Sequence, residues 1–361
     1  MEAIAQTQTA PPQMAIHTYR EGDSQTQFAR CASTLPDIRS HCFSHHPSWL
    51  KALQAGLGHT SFLLEARADD DRTLGWLPLA LVQSQLFGRF LVSLPYLNSA
   101  GIASDNAAAG YALIERAVQL ADELDVRYLE LRHEHEWRHP ALTHSVTTKA
   151  HLRLPLPQSC DDLWHNLDAK VRNQIRKAQK HELSVHWGSI DLLPEFHAVF
   201  SRNMRDLGTP TYGRSLFKSI LSNFPDRAEL CVVRQQSRPL AVALLVHGDG
   251  QTEVPSASSR RRYNLTNANM LMYWNLLVRA LERGQNTFDF GRSSFGSNTY
   301  RFKQQWGAQP HRAIWQYYLR RGSIDQARPD NPRYRMMVNA WRHLPLWLSR
   351  LIGPAIVKGI P

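Results

Sequence analysis

The sequence predicts a mixed α/β (α+β) fold of two similar halves in tandem, each a mostly antiparallel mixed sheet flanked by helices. Three observations carry that expectation. Apolar residues alternate along the chain between helical and strand spacing. The same order of elements occurs twice. Hydrophobic residues make up 43% of the 361 positions, enough to fill the cores of two ordinary domains.

The first residues, MEAIAQTQTAPPQ, have no basic start and no apolar run, so a signal peptide is not expected there and residues 1–15 read as a disordered tail. Trp49 to Arg67, WLKALQAGLGHTSFLLEAR, reads as an apolar-periodic helix followed by a strand. TLGWLPLALVQS supplies a hairpin partner, and Tyr111 to Arg132, YALIERAVQLADELDVRYLELR, gives a second helix and strand. The pattern then returns. Leu216 to Arg234, LFKSILSNFPDRAELCVVR, repeats the first helix and strand. PLAVALLVHG, a Gly-Asp-Gly turn and QTEVPSASS follow, and Asn269 to Gly291 repeats the second helix and strand. A repeat this long fits a duplicated domain better than a solenoid. The expected boundaries are 16–158 and 159–321, with a helical tail at 322–361.

Between the halves lies DDLWHNLDAKVRNQIRKAQKHELSVHWG. Asp161 and Asp162 suit a helix start, and Leu163, Leu167, Val171, Ile175 and Ala178 form an apolar stripe. No acid occurs from Ala169 to His181, so Arg176 and Lys177 are candidates for an anionic part of a substrate, against a plain solvated face. The last residues, Trp341 to Pro361, are apolar, aromatic and basic but broken by Pro345 and Pro354. They suit docking onto the body or peripheral contact with an anionic membrane.

Composition narrows the partners. The formal charge is +11 and the pI about 9.7, which favours nucleic acid, phosphorylated substrates or an anionic surface, or else simply an arginine-rich exterior. The four cysteines are scattered without a CxxC pair, as in a cytoplasmic protein with reduced thiols. No apolar run approaches the roughly 20 residues of a membrane helix. His133, His135 and His139 in RHEHEWRH lack a compact partner set, so no metal is expected.

The densest chemistry is at FDFGRSSFGSNTYRFKQQWG, Phe288 to Gly307. Phe288 and Phe290 alternate with Asp289 as in a half-buried strand, and Gly291 lets the backbone turn or a substrate come close. Arg292 follows at the strand end, where α/β proteins often bind ligands. Tyr300, Lys303 and Trp306 recur at three-residue spacing. Lys303, Arg292, Asp289 and Tyr300 are the candidate catalytic group, although Asp289 and Arg292 would equally suit a structural ion pair and Trp306 and Tyr300 suit packing. On the preceding strand, Glu253 and Ser258 could orient a substrate, and Arg260 could meet phosphate.

KVRNQIRKAQKHELSV, NMRDLGTPTYGRSLF, EVPSASSRRRYN, NANMLMYW and FDFGRSSFGSNTYRFKQQWGAQP, taken in order, resemble the FemAB-like branch of the GNAT acyltransferases, and in particular FemAB-related proteins of exosortase (PEP-CTERM) and exopolysaccharide systems. The resemblance implies two GNAT-like domains and N-acyl transfer to an amine of a cell-envelope precursor. It implies an anionic acyl donor, aminoacyl-tRNA or acyl-CoA, and no tightly bound cofactor. It also puts Phe302 and Lys303 near the donor, and Tyr96 and Asp105 near the acceptor. CoA-dependent relatives use a glycine-rich turn before the central helix. SSRRRYNLTNANM has no glycine there, which favours aminoacyl-tRNA over acyl-CoA. The sequence departs from the family pattern at Ser256 and Asn298. A non-catalytic protein that binds RNA or an envelope assembly complex through its basic surface is the alternative of another class.

Overall fold

The computed structural model describes residues 14–20, 43–248, 250–322 and 332–361. The expected tail at 1–15 lies almost wholly outside them, as do Cys31 and Cys42. The first half contains β1 (Met14–Arg20), α1 (Ser48–Leu57), β2 (Thr60–Ala68), β3 (Thr73–Ser84), β4 (Gly88–Val92), a short β5 (Ala103–Ser104), α2 (Ala107–Glu123), β6 (Tyr128–His133) and β7 (His144–Pro155). The second contains α3 (Cys160–Asn166), α4 (Ala169–Gln179), β8 (Leu183–Gly188), α5 (Leu193–Leu207), α6 (Arg214–Asn223), β9 (Ala228–Gln235), β10 (Arg238–Gly248), β11 (Gln251–Ser259), α7 (Ala268–Glu282), β12 (Thr287–Ser294), α8 (Asn298–Gln304) and β13 (Gln309–Leu319). α9 (Pro332–His343) and α10 (Leu346–Val357) close the chain.

All these strands belong to one sheet, ordered β1-β2-β3-β4-β6-β13-β7-β12-β11-β10-β9-β8, with β5 beside β3. The order is symmetric about its middle. β1 to β4 correspond to β8 to β11, β6 to β12, and β7 to β13. The last strand of each half is exchanged: β7 lies between β13 and β12, and β13 lies between β6 and β7. Two sheets thereby fuse into one with no open edge at the junction.

Among the described residues only two pairings are parallel, β4 with β6 and β11 with β12. Each holds for three residue pairs, ending at Val92–Glu130 and Glu253–Asp289. Beyond those points the strands part, so each half has a splay in its sheet. The splays face the junction, which is where the two halves' chemistry can meet.

The linker stripe is real: Leu163, Leu167, Val171, Ile175 and Ala178 are all buried. It runs over two helices, because Leu167 is extended (ψ 144°) and breaks the chain between α3 and α4. The first helix is capped by Ser159, whose hydroxyl accepts from Asp162 N at 3.1 Å, rather than by Asp161 or Asp162. The stripe packs on the α7 side of the second half, with Trp164 and Trp274 edge to face at 5.0 Å. Trp306, only 2% exposed, fills the same core and touches Tyr273 and Phe302.

Candidate functional site at the open splay

β12 brings Asp289 and Gly291 to the splay, and α8 brings Lys303. α8 starts at Ser297, whose hydroxyl caps Tyr300 N at 3.2 Å, and it turns Lys303 back over the end of β12. Lys303 is 8% exposed, and its Nζ donates to the carbonyls of Gly291 at 2.9 Å and Arg292 at 3.2 Å. An ammonium has three donors, so one stays available to a ligand. Burial lowers this amine to about 8, with Arg292 adding repulsion and Asp289 opposing the shift.

Asp289 is held by hydrogen bonds at both carboxylate oxygens. Its Oδ1 accepts from Gly291 N at 2.7 Å and its Oδ2 from Arg153 Nε at 2.9 Å. His151 Nδ1 lies 3.7 Å from the same Oδ2. Both oxygens are engaged, so Asp289 fixes the turn at Gly291, and its partner is Arg153 rather than Arg292. Arg153 also grips Glu134 through both terminal nitrogens. Burial alone would raise Glu134, but Arg153 overrides it and holds the carboxyl at about 2.

Across the splay stands Glu253. Ser44 Oγ donates to its Oε1 at 3.4 Å, and Gln251 Nε2 donates to the same oxygen at 3.1 Å. Burial and then the neighbouring Asp289 push this carboxyl up to about 7, against Arg153. Tyr96, held at φ +76°, hydrogen-bonds Ser256 at 2.9 Å and meets the Tyr212 ring edge-on at 5.2 Å. Tyr96, Glu253, Asp289 and Gly291 line one small pocket with Asn98 and His151. It shares Ser99 and Arg153 with a larger cavity of about 640 Å³ walled by His133, Glu134 and Trp137.

The remaining candidates are distributed around this centre. Arg292 stacks on Trp315, its guanidinium carbon 3.4 Å from the ring centroid, and burial with Arg132 beyond it lowers the group to about 9. Arg260 and Phe302 line a second cavity, of about 380 Å³, against α7 and α8. Ser258 is buried and accepts from Asn203 Nδ2 at 3.1 Å, which makes it a packing partner of α5. Tyr300 packs against Phe295 at 5.5 Å and the α7 core. Arg176 and Lys177 are exposed on α4 and line neither cavity; Arg176 reaches Asn173 and the Trp164 ring instead. Asp105 is exposed ahead of α2 and lines neither cavity, although its neighbour Ser104 lines the larger one. His133, His135 and His139 do not converge: His133 is buried on Gln316, His135 is exposed, and His139 faces Glu115 at 3.9 Å.

Contributors that escaped the sequence include Ser44, Asn98, Glu134, His151 and Arg153. They come from loops and from the exchanged strand β7. Only knowledge of the β7–β12 register, which pairs Arg153 with Asp289, would have found the central ion pair.

Residues 166–304 match the family model of the acetyltransferase (GNAT) domain. That GNAT match spans α4 to α8 and contains Glu253, Asp289, Gly291 and Lys303. In three dimensions the likeness covers both halves. The chain is similar to FemX (15% identity, TM-score 0.61, 89% of this chain and 100% of that one). It is similar to a tandem GNAT protein from the clavulanic acid biosynthesis pathway (12%, 0.54, 86% and 100%). It is also similar to L-PGS from Bacillus licheniformis (12%, 0.52, 91% and 97%). No curated protein matches the sequence. At such identities the shared property is the fold: two GNAT-like domains in tandem, as the repeat predicts.

Proposed function

We propose that the chain is a FemAB-like N-acyltransferase, moving an aminoacyl or acyl group onto an amine of a peptidoglycan or exopolysaccharide precursor. Membership of the exosortase-associated group belongs to the same proposal and rests on the sequence resemblance. The observation that carries the chemistry is the open splay, with a lysine on one side and a raised carboxyl on the other. In this reading Glu253 takes the proton from the acceptor ammonium. The amine forms its bond to the donor carbonyl, and the Lys303 ammonium steadies the resulting oxyanion. Collapse breaks the bond to the donor's leaving oxygen or sulfur, which departs with a proton.

The start of α7 favours a donor other than CoA. The N–H groups of Asn267, Ala268, Met270 and Leu271 are taken by Asn264, Thr266 and Asn267 at 2.9–3.3 Å. A pyrophosphate cradle needs such groups free. Side chains offer the alternative: burial and repulsion from Arg202 lower Arg260, as expected where guanidinium groups gather without acids. Aminoacyl-tRNA is therefore the preferred donor and acyl-CoA the second.

The test titrates acetyl-CoA, charged tRNA and uncharged tRNA in parallel, with Lys303→Ala as control. Preference for charged tRNA, reduced in the variant, supports aminoacyl transfer. Saturable acetyl-CoA binding lost in the variant makes this an acyl-CoA enzyme. Equal, steeply salt-dependent binding to both tRNA forms would make it a basic RNA-binding protein.

A further inference from the structure

α9 and α10 dock onto the body, and α10 leaves a largely apolar face outward. On α10, Ser349, Gly353 and Val357 are buried, and Arg350 Nε donates to Ser201 Oγ of α5 at 2.8 Å. Gly353 lies so close to Thr211 that a Cβ there would stand 3.0 Å from its backbone N. On the opposite face, Trp347 and Leu351 are 66% and 70% exposed. The exposed Ala355 and Lys358 extend that stripe at helical spacing. α9 adds Met336 and Met337, exposed by 80% and 60%. Four of the ten large exposed hydrophobic side chains among the described residues thus fall on these two short helices, which marks a surface meant to be covered.

Charge says what covers it. From Asn331 to Pro361 the sequence has Arg333, Arg335, Arg342, Arg350 and Lys358, and no Asp or Glu. Beside the docked face stand Arg202, Arg214 and Arg260, whose charges, after burial, depress Arg350. None of these four arginines pairs with a carboxylate among the described residues. An acid-free apolar stripe bordered by cations complements an anionic bilayer. Each helix has 12 residues, about 18 Å, too short to cross. No helix among the described residues is long and apolar enough to do so.

We propose that the outer face of α9 and α10 rests on an anionic lipid surface. Met336, Met337, Trp347 and Leu351 enter the headgroup boundary, while Lys358 meets lipid phosphate; Arg342 is turned inward to the Leu207 carbonyl. This inference stands apart from the acyl-transfer reading. The test sediments the full chain with vesicles of phosphatidylcholine alone or mixed with phosphatidylglycerol. Binding to the mixed vesicles, weaker on phosphatidylcholine and weakened by salt, is expected. Trp347→Ser with Leu351→Ser, at two exposed sites where the melting temperature is expected to stay unchanged, should weaken it about tenfold or more. Lys358→Gln should weaken it about fivefold. No binding to mixed vesicles, or undiminished binding by the double variant, overturns the proposal. So does a concentration-dependent dimer in size-exclusion chromatography that the double variant dissociates, because the face would then belong to a second copy.

Discussion

The two splays occupy equivalent places in the symmetric sheet, yet one is closed and the other open. In the first half, Glu130 is followed two residues on by Arg132, which is 3% exposed. The Arg132 guanidinium donates to Glu130 at 2.7 Å and to the carbonyls of Leu94 and Leu97, and it stacks on Trp315 at 4.0 Å. Its own N–H donates to Ser93 Oγ at 2.7 Å. The side chain laces the parting strands together. In the second half, Asp289 is followed two residues on by Gly291, and the ion pair turns away from the gap toward Arg153. Lys303 stands at its edge, held to the Gly291 carbonyl. Duplication supplies the scaffold twice; the residue two beyond the acid decides whether that scaffold has room for a reaction.

The comparison breaks most visibly at Arg132. Arg132→Ala leaves the buried Glu130 without its ion-pair partner, with the Tyr317 hydroxyl still bonded to it, and should cost about 3–5 kcal/mol of stability. Chemical denaturation measures it. Turnover per folded molecule should change far less. A folded variant with no activity would mean that the closed splay also takes part in the reaction. Lys303→Ala should show the opposite balance. A rate loss of ~10²–10³ is expected in a single-turnover transfer assay, with a stability loss of only about 1–3 kcal/mol from two carbonyls left unpaired. Near-normal turnover would remove Lys303 from the chemistry.

Titration sharpens the contrast, since the open splay holds both shifted groups. If Glu253 must be ionised and Lys303 charged, kcat/KM rises through about 7 and falls beyond about 8. Glu253→Gln should erase the acidic limb, once the amine's own titration is subtracted. Stability moves by linkage. Glu253 is raised in the folded state, so its contribution is full below its unfolded range and is lost as pH rises through about 7. Lys303 is depressed, so its contribution is full above the unfolded lysine range and is lost as pH falls through about 8. A profile unchanged by Glu253→Gln would leave the base unassigned.

Much of the scaffold is legible in the sequence, because local periodicity encodes it. Helix-strand order repeats, FDFG reads as a strand and Phe302–Lys303 follows on a short helix, but the strand does not end at the glycine: β12 passes through Gly291 and runs to Ser294. Strand partners are different. HSVTTKAHLRLP and QPHRAIWQYYL come last in their halves, and nothing local says that each pairs across the junction. The Arg153–Asp289 pair, 136 residues apart, was hidden for that reason. Charge runs leave placement open in the same way. Arg176 and Lys177 stand out in the sequence, but their helix turns them to solvent while Gln174 faces the second cavity.

The smallest expected effect tests the position itself. Gly291 has φ +77°, where a side chain costs about 1–2 kcal/mol. Space is not the obstacle: a Cβ there would stand 3.6 Å from Asn98 Nδ2 and Val254 O and 3.9 Å from Lys303 Nζ. Gly291→Ala should therefore fold, lose about that much stability by denaturation, and keep the Lys303 contacts. A methyl group nevertheless points toward the ammonium that the donor carbonyl must reach. KM for the donor should rise while the shape of the pH profile is kept. If the variant loses stability alone, with donor KM unchanged, the donor does not pass over Gly291, and the glycine serves the backbone turn that Asp289 already holds.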